Sequence, residues 1–402
     1  MAGVTYRKRG SKWEYRFDTA KVGGKRKQIS KGGFATKKEA EIEGTKALAE
    51  YNRSGLVFEP SELSLSDYLD YWLEKYVKTN LAYNSYRDYE SKIRIHIKPY
   101  LGIYKITSLQ PATIQEWVDN IKLRGYSKSM VKNILACLQG ALNYAVVPMN
   151  YIQSNPCVYV KIGKIPTNTK AKEHTEYICS KDDFNNIIKR FPETSNFYIP
   201  LMLGYNLGTR IGESYGFNLL EDINFEKHEI TINHQLSKEN TSWYYRPPKY
   251  ESNRTLKMGA TIEGVIKREI TRRKENMLKY GPYYNKSYIT NDNRIVQYPA
   301  SENVPYKEIW PVSVKENGDL LTTDSFKYCA RIIHNELGNP LFHSHCLRHT
   351  HGTILAENGA FPKTVMERLG HKDIKVTLET YVFNTDNMKN DAINIFESVI
   401  NQ

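Results

Sequence analysis

The sequence predicts a multidomain protein: a small α+β module at the N-terminus, then an all-α bundle, then a mixed, mainly-α domain with a small antiparallel sheet. Three observations predict it. The chain has 402 residues, more than one ordinary core serves at roughly 100 to 200 residues per domain. Stretches carrying Gly and Pro without sustained periodicity interrupt it near residues 54–61 and 161–177. The hydrophobic period also changes along the chain, from alternation to helical and then to a mixture of the two. The expected divisions are residues 1–60, 61–160, a linker at 161–177, and 178–402.

In the first module, residues 1 to 31 hold ten Lys/Arg against Glu14 and Asp18. Trp13, Tyr15 and Phe17 alternate as a strand, Gly23-Gly24 turns the chain, and Lys25 to Ser30 makes a second strand. Thr36 to Tyr51 is helical, with Ala40, Ala47, Leu48 and Tyr51 facing the sheet. So basic a hairpin favours DNA over a merely solvated surface.

From Ser64 to about Val160, helices dominate. Leu65, Tyr68, Leu69, Trp72 and Leu73 form one apolar stripe; Ile134, Leu135, Leu138, Leu142 and Tyr144 contribute to another. Helices also fit Tyr83 to His96 and Pro111 to Leu123, so a bundle of four or five is expected. The stripes are core rather than a cofactor box, and Lys92, Arg94, Lys128 and Lys132 are read as exposed cations that meet phosphates or simply solvate a helix face.

In the last domain Ser180 caps a helix through Arg190, and Pro200 to Leu207 is helical. Strands are expected at Glu229 to Gln235, Thr241 to Tyr245 and Arg254 to Met258. Later helices fall near Ile262 to Lys279, Asp324 to Glu336, Leu347 to Glu357, Pro362 to Leu369 and Lys375 to Tyr381, with Gly359 and Gly370 as left-handed caps. Lys279 to Asp319, rich in Tyr, Asn and Pro, reads as a surface insertion with an added hairpin.

The 57 Lys+Arg against 44 Asp+Glu give a net charge of +13, a field that attracts polyanions such as nucleic acid, with an anionic membrane the weaker alternative. No apolar run reaches transmembrane length, and no apolar segment follows the charges of the N-terminus, so a cytoplasmic protein is expected. The five scattered cysteines, Cys137, Cys157, Cys179, Cys329 and Cys346, form no C-x-x-C pair and read as reduced thiols.

Six polar groups stand in order through the last domain, with one acid beside the first. They are Arg210 in GTRIGE with Glu213 three residues on, Lys249 in PPKYESNR, His345 and Arg348 in HCLRHT, His371 in LGH, and Tyr381 in LETY. Each motif alone is weak. A phosphodiester is anionic with a poor alkoxide leaving group, so its cleavage needs charge neutralised on the non-bridging oxygens. Two planar guanidiniums, Arg210 and Arg348, suit that task and stay charged at any working pH. His371 would add a third donor. A tyrosine of ordinary pKa about 10 needs a base as it attacks, and a histidine of pKa about 6.5 fits, here His345.

The ordered set resembles the signature of the tyrosine recombinases, or phage integrases. Gly208, Arg210 and Glu213 match its first box, His345 through Thr350 its second, and L-G-H precedes a tyrosine by ten residues. The chain departs from the family pattern at Cys346, Val382 and Phe383, none a core catalytic position.

The resemblance implies the tyrosine recombinase fold, a helical core-binding domain and an arm-binding domain of three strands and a helix. It places Lys249 at a β-hairpin turn as the acid for the leaving 5′-oxygen, and makes Tyr381 the nucleophile of a 3′-phosphotyrosyl intermediate. Glu213 would orient His345 or Arg210. No cofactor is expected, neither ATP nor metal. Implied partners are double-stranded DNA at core and arm sites, a homotetramer on paired sites, and an excisionase or host DNA-bending protein, in a bacterial cytoplasm. Met388 to Ile400 is expected as an amphipathic helix that either caps its own domain or docks on a neighbouring protomer. Rivals are a resolvase, a chromosome-type recombinase or a topoisomerase, and from another class a non-catalytic DNA-binding regulator.

Overall fold

The computed structural model describes residues 4–18, 28–54, 63–164, 177–373 and Glu397. The Gly23-Gly24 turn, both presumed linkers for the most part, the Lys375 to Tyr381 helix and the Met388 to Ile400 tail fall outside the described residues. The chain divides into two compact units, residues 1–170 and 171–402.

In the first unit, β1 (Thr5–Arg9), β2 (Lys12–Asp18) and β3 (Gln28–Phe34) make an antiparallel sheet in that order, followed by α1 (Lys37–Ser54). β1 is a strand that the residue pattern alone did not predict. Tyr15, Phe17, Ala40 and Ala47 are buried between sheet and helix. Gly44 lets them approach, since a Cβ there would stand 2.9 Å from Tyr15. Arg7, Lys8, Arg9, Lys12 and Lys31 remain exposed.

The helical part of this unit opens at α2 (Leu65–Trp72), which passes through a π turn, Leu73–Val77, into α3 (Lys78–Asn80). Then α4 (Tyr83–Lys92) passes through a second π turn, Ile93–Ile97, into α5 (Lys98–Leu101). α6 (Pro111–Leu123) and α7 (Lys128–Val146) complete a bundle over the expected apolar stripes. Lys92 is a correction: it is 9 % exposed rather than a free surface cation, and pairs with Asp88 one helical turn back at 2.5 Å.

The second unit begins at α8 (Lys181–Arg190), where Ser180 and Asp183 form the capping box that fixes the helix start. α9 (Tyr198–Leu207) is buried almost all round, and α10 (Ile211–Ser214) follows after three residues, of which Gly208 is left-handed and Arg210 extended. β4 (Ile223–Asn224), β5 (Glu229–Ile232) and β8 (Arg254–Lys257) form one antiparallel sheet, order β4-β5-β8.

A second sheet, absent from the expectation, runs β11-β9-β10-β7-β6. It joins the hairpin β6 (Gln235–Glu239) and β7 (Ser242–Arg246) to β9 (Asn285–Ile289), β10 (Arg294–Pro299) and β11 (Lys307–Ile309). The supposed surface insertion therefore holds its added hairpin but is no appendage: Ile295, Ile309 and Val312 sit in the domain core.

α11 (Ala260–Tyr280), α12 (Thr323–Glu336), α13 (Ser344–Glu357) and α14 (Pro362–Leu369) complete the domain. Gly359 and Gly370 take the left-handed conformation at φ +78° and +69°. All five cysteines are free and buried. Among the described residues, no helix is long and apolar enough to cross a membrane.

Candidate active site

The site assembles where α9 and α13 cross. Their approach depends on Gly204, whose added Cβ would lie 3.1 Å from Leu347 Cδ1. That seats Arg348 beside the end of α9, where Gly208 turns the chain at φ +65°. Arg348 is fully buried. Its Nη1 donates to Gly208 O at 2.9 Å and its Nη2 to Leu369 O.

Arg210 N-caps α10, and its side chain is 18 % exposed. Its Nη1 donates to Glu213 Oε1 at 2.8 Å and to Ser252 Oγ at 3.2 Å, and its Nη2 to Gly370 O at 3.3 Å. Arg348 and Arg210 thus donate to consecutive carbonyls, Leu369 and Gly370. These are the last residues before His371, whose N–H closes the end of α14 on Met366 O at 3.0 Å. His371 is half-buried; burial first, then the charges of Arg348, Arg210 and Arg254, lowers its pKa to about 4.

Glu213 is fully buried. Burial alone would raise its pKa, but the hydrogen bond and charge of Arg254, then the charge of Arg210, hold it down at about 2. Of the two groups it was expected to orient, its hydrogen bonds go to Arg210, and it accepts from Arg254 as well.

His345 lies one turn before Arg348 on α13, edge-on to His349 with ring centroids 4.7 Å apart. Although exposed, it is crowded enough that desolvation, ahead of His349, Arg348, Arg210 and His343, lowers its pKa and keeps the imidazole neutral. Lys249 does not sit at the tip of a simple hairpin. It opens a short 3₁₀ turn, Lys249–Glu251, linking β7 of one sheet to β8 of the other. Its Nζ lies 5.1 Å from the Tyr250 ring centroid, and its carbonyl accepts from Ser252 Oγ at 3.0 Å. Ser252 therefore bridges the Lys249 backbone to Arg210. Tyr381 lies outside the described residues.

Two further groups were missed from the sequence. Arg254, the first residue of β8, forks onto Glu213 and donates through Nε to Arg368 O at 2.8 Å. His351, one turn beyond Arg348 and its neighbours on α13, binds Tyr205 O through Nδ1 at 2.9 Å and accepts from Arg368 Nε at 2.9 Å. Arg254 stands five residues after Lys249 at a strand start, the one signal available for it; a single cation in so basic a chain carries none by itself.

Arg210 and Arg348 thus converge on the carbonyls that precede His371, with the neutral His345 on α13 and the Lys249 turn tied to Arg210 through Ser252, a set of cations and one neutral imidazole of the kind phosphoryl transfer uses. The chain belongs to the phage integrase family, whose pattern matches residues 180–388. An N-terminal SAM-like domain of phage integrases matches residues 64–121, and an arm DNA-binding domain residues 3–50.

A "Tyrosine recombinase XerC-like" protein of Caldanaerobacter subterraneus is 28 % identical over 369 residues, covering 89 % of this chain and 88 % of its own. The transposase from transposon Tn916 of Enterococcus faecalis is 24 % identical over 295 residues, 72 % of this chain and 66 % of its own. Among solved structures, the Tn1549 transposon integrase in complex with circular-intermediate DNA superposes with a TM-score of 0.63 at 19 % identity. The match covers 83 % of this chain and 99 % of that one. The protein is accordingly a tyrosine recombinase, an enzyme of DNA cleavage and rejoining.

Proposed function

We propose that this recombinase integrates and excises a mobile genetic element through a 3′-phosphotyrosyl intermediate formed on Tyr381. The observation that carries the reading is the meeting of Arg210 and Arg348 on the successive carbonyls that precede His371. Residues far apart in sequence converge there, as neutralising a scissile phosphate requires.

In this reading Arg210, Arg348 and His371 bind the non-bridging oxygens. His345, neutral as its environment favours, takes the proton of Tyr381, and Lys249 protonates the leaving 5′-oxygen. The bond from phosphorus to the 5′-oxygen breaks as the bond to the tyrosine oxygen forms. The ester conserves the energy of the broken bond, so a 5′-hydroxyl from a new partner strand reverses the step. Residues 1–60 would bind arm sites, the helical bundle of residues 61–160 core sites, and residues 178–402 carry the chemistry. Four protomers on paired sites, an excisionase or DNA-bending protein, and a bacterial cytoplasm complete the setting.

The exposed cations of the three-stranded sheet favour integration over the simpler resolvase reading, which needs no arm module. The test is a nicked core-site duplex that traps covalent protein–DNA adduct. The adduct is expected with the unaltered chain and lost, with DNA binding kept, in Tyr381→Phe. An undiminished adduct in that variant refutes the assignment.

A further inference from the structure

We propose that Arg254 is a positioning residue for strand cleavage, occupying Glu213 so that this carboxylate orients Arg210 without cancelling its charge at the scissile phosphate. The inference rests on the reading of Arg210 as a phosphate-binding group.

The geometry of Glu213 motivates it. Oε1 accepts from Arg210 Nη1 at 2.8 Å and Arg254 Nη1 at 3.3 Å, and Oε2 from the Arg210 N–H at 2.9 Å and Arg254 Nη2 at 2.8 Å. One buried carboxylate therefore serves two guanidiniums, leaving a single net positive charge. Without Arg254 the remaining pair would sum to zero. A carboxylate in low-dielectric surroundings at hydrogen-bond distance would then offset the field that Arg210 presents to the phosphate.

Arg254 is also placed to act on the other groups of the site. Its Nε donates to Arg368 O at 2.8 Å and its Nη1 to Ser252 O at 3.1 Å. One guanidinium thus ties the turn bearing Lys249 to the helix end that precedes His371. Gly370 lies against it so closely that a Cβ there would stand 2.9 Å from Arg254 Nη1. Three directions of donation from one planar group require arginine; lysine would keep the charge but not the fork.

A scaffold role alone would not depend on charge, and the test separates the two. Adduct formation is followed in single turnover with the full chain on a nicked core-site duplex from the ends of the element that carries the gene. The scissile group is either a phosphodiester or a methylphosphonate, in which a methyl replaces the charged oxygen.

Arg254→Gln is expected to slow cleavage of the phosphodiester on the order of 100-fold, the scale for losing one charge-stabilising donor, and to approach the unaltered chain on the methylphosphonate. The Glu213→Gln/Arg254→Gln pair should be no slower than Glu213→Gln alone, since without the carboxylate there is no charge for Arg254 to offset. Arg254→Lys should fall between Arg254→Gln and the unaltered chain, and supplies the two-substrate comparison if Arg254→Gln fails to fold.

Equal defects on both substrates, additive with Glu213→Gln, would overturn the proposal, as would unimpaired cleavage by Arg254→Gln. An unaltered chain that forms no Tyr381-dependent adduct would overturn the underlying reading of the site, a failure visible without any Arg254 variant.

Discussion

Arg254 and Glu213 meet as a fork on a carboxylate, Nη2 to Oε2 at 2.8 Å and Nη1 to Oε1 at 3.3 Å, with side chains only 7 % and 0 % exposed. Removing Glu213 takes away the carboxylate that Arg254 and Arg210 share and leaves the buried Arg254 guanidinium uncompensated. Glu213→Gln should therefore cost the catalytic domain about 3 to 5 kcal/mol at neutral pH. The carboxylate's pKa is depressed, so its stabilisation is complete above the ordinary carboxylate value of 4.5 and is lost as pH falls from there towards about 2. Urea unfolding at pH 7 and again at pH 3.5 checks both parts. A gap that does not narrow in acid would contradict the ion-pair account.

His351 gives a second, oppositely charged titration. It is 8 % exposed, and burial first, then Arg368, lowers its pKa from 6.5 to about 4, against the raising effect of Tyr205 O. The contacts agree with a neutral ring: Nδ1–H donates to Tyr205 O while Nε2 accepts from Arg368 Nε. The unfolded chain takes up this proton below about 6.5, so the stabilisation is present above that pH and lost between 6.5 and 4. At pH 5 the loss is about 2 kcal/mol. His351→Gln, which can still offer an acceptor to Arg368, should remove that much of the stability difference between pH 7 and pH 5. An unchanged pH dependence would mean the ring titrates elsewhere.

The ordered motifs were legible because phosphoryl chemistry restricts residue types, and because Gly208 and Gly370 mark the turns beside them. α14 was read to the residue, since Pro362 opens it and Gly370 closes it. The five-stranded sheet was not legible. Its hairpin β6–β7 pairs with β10 across the whole of α11, and pairing at that range leaves no local trace in alternation. Lys249 was correctly linked to a β segment but to the wrong geometry, because the strands on either side of it join different sheets. Arg254 and His351 act through contacts with carbonyls and other side chains, which a residue's own neighbours in sequence do not announce.

In the helical bundle, the second π turn brings the His96 carbonyl to Trp117, whose Nε1 donates to it at 2.9 Å. Trp72, also buried, has no hydrogen-bond partner for its Nε1 among the described residues. The two indoles lose a similar volume on replacement by phenylalanine, but only Trp117→Phe strands a buried carbonyl. It should destabilise the bundle by about 1 to 3 kcal/mol more than Trp72→Phe. Thermal or urea unfolding of the two variants side by side makes the comparison. Equal losses would show that the His96 carbonyl finds another donor.

Gly208 carries three demands at once. Its φ of +65° lies where L side chains are strained, its carbonyl receives Arg348 Nη1 at 2.9 Å, and a Cβ would stand 2.7 Å from Leu369 Cδ2 and 2.8 Å from His351 Cδ2. Alanine here must therefore shift α13 or the end of α14, the two elements that hold Arg348 and lead into His371. Strain and overpacking together should cost about 2 to 4 kcal/mol. Cleavage should fall by more than the loss of folded protein explains, because a displacement of the guanidiniums by a fraction of an ångström misaligns the phosphate. Measuring adduct formation at a temperature where Gly208→Ala remains folded separates the two effects. A normal rate per folded molecule would show that the turn serves stability alone and that Arg348 keeps its place without it.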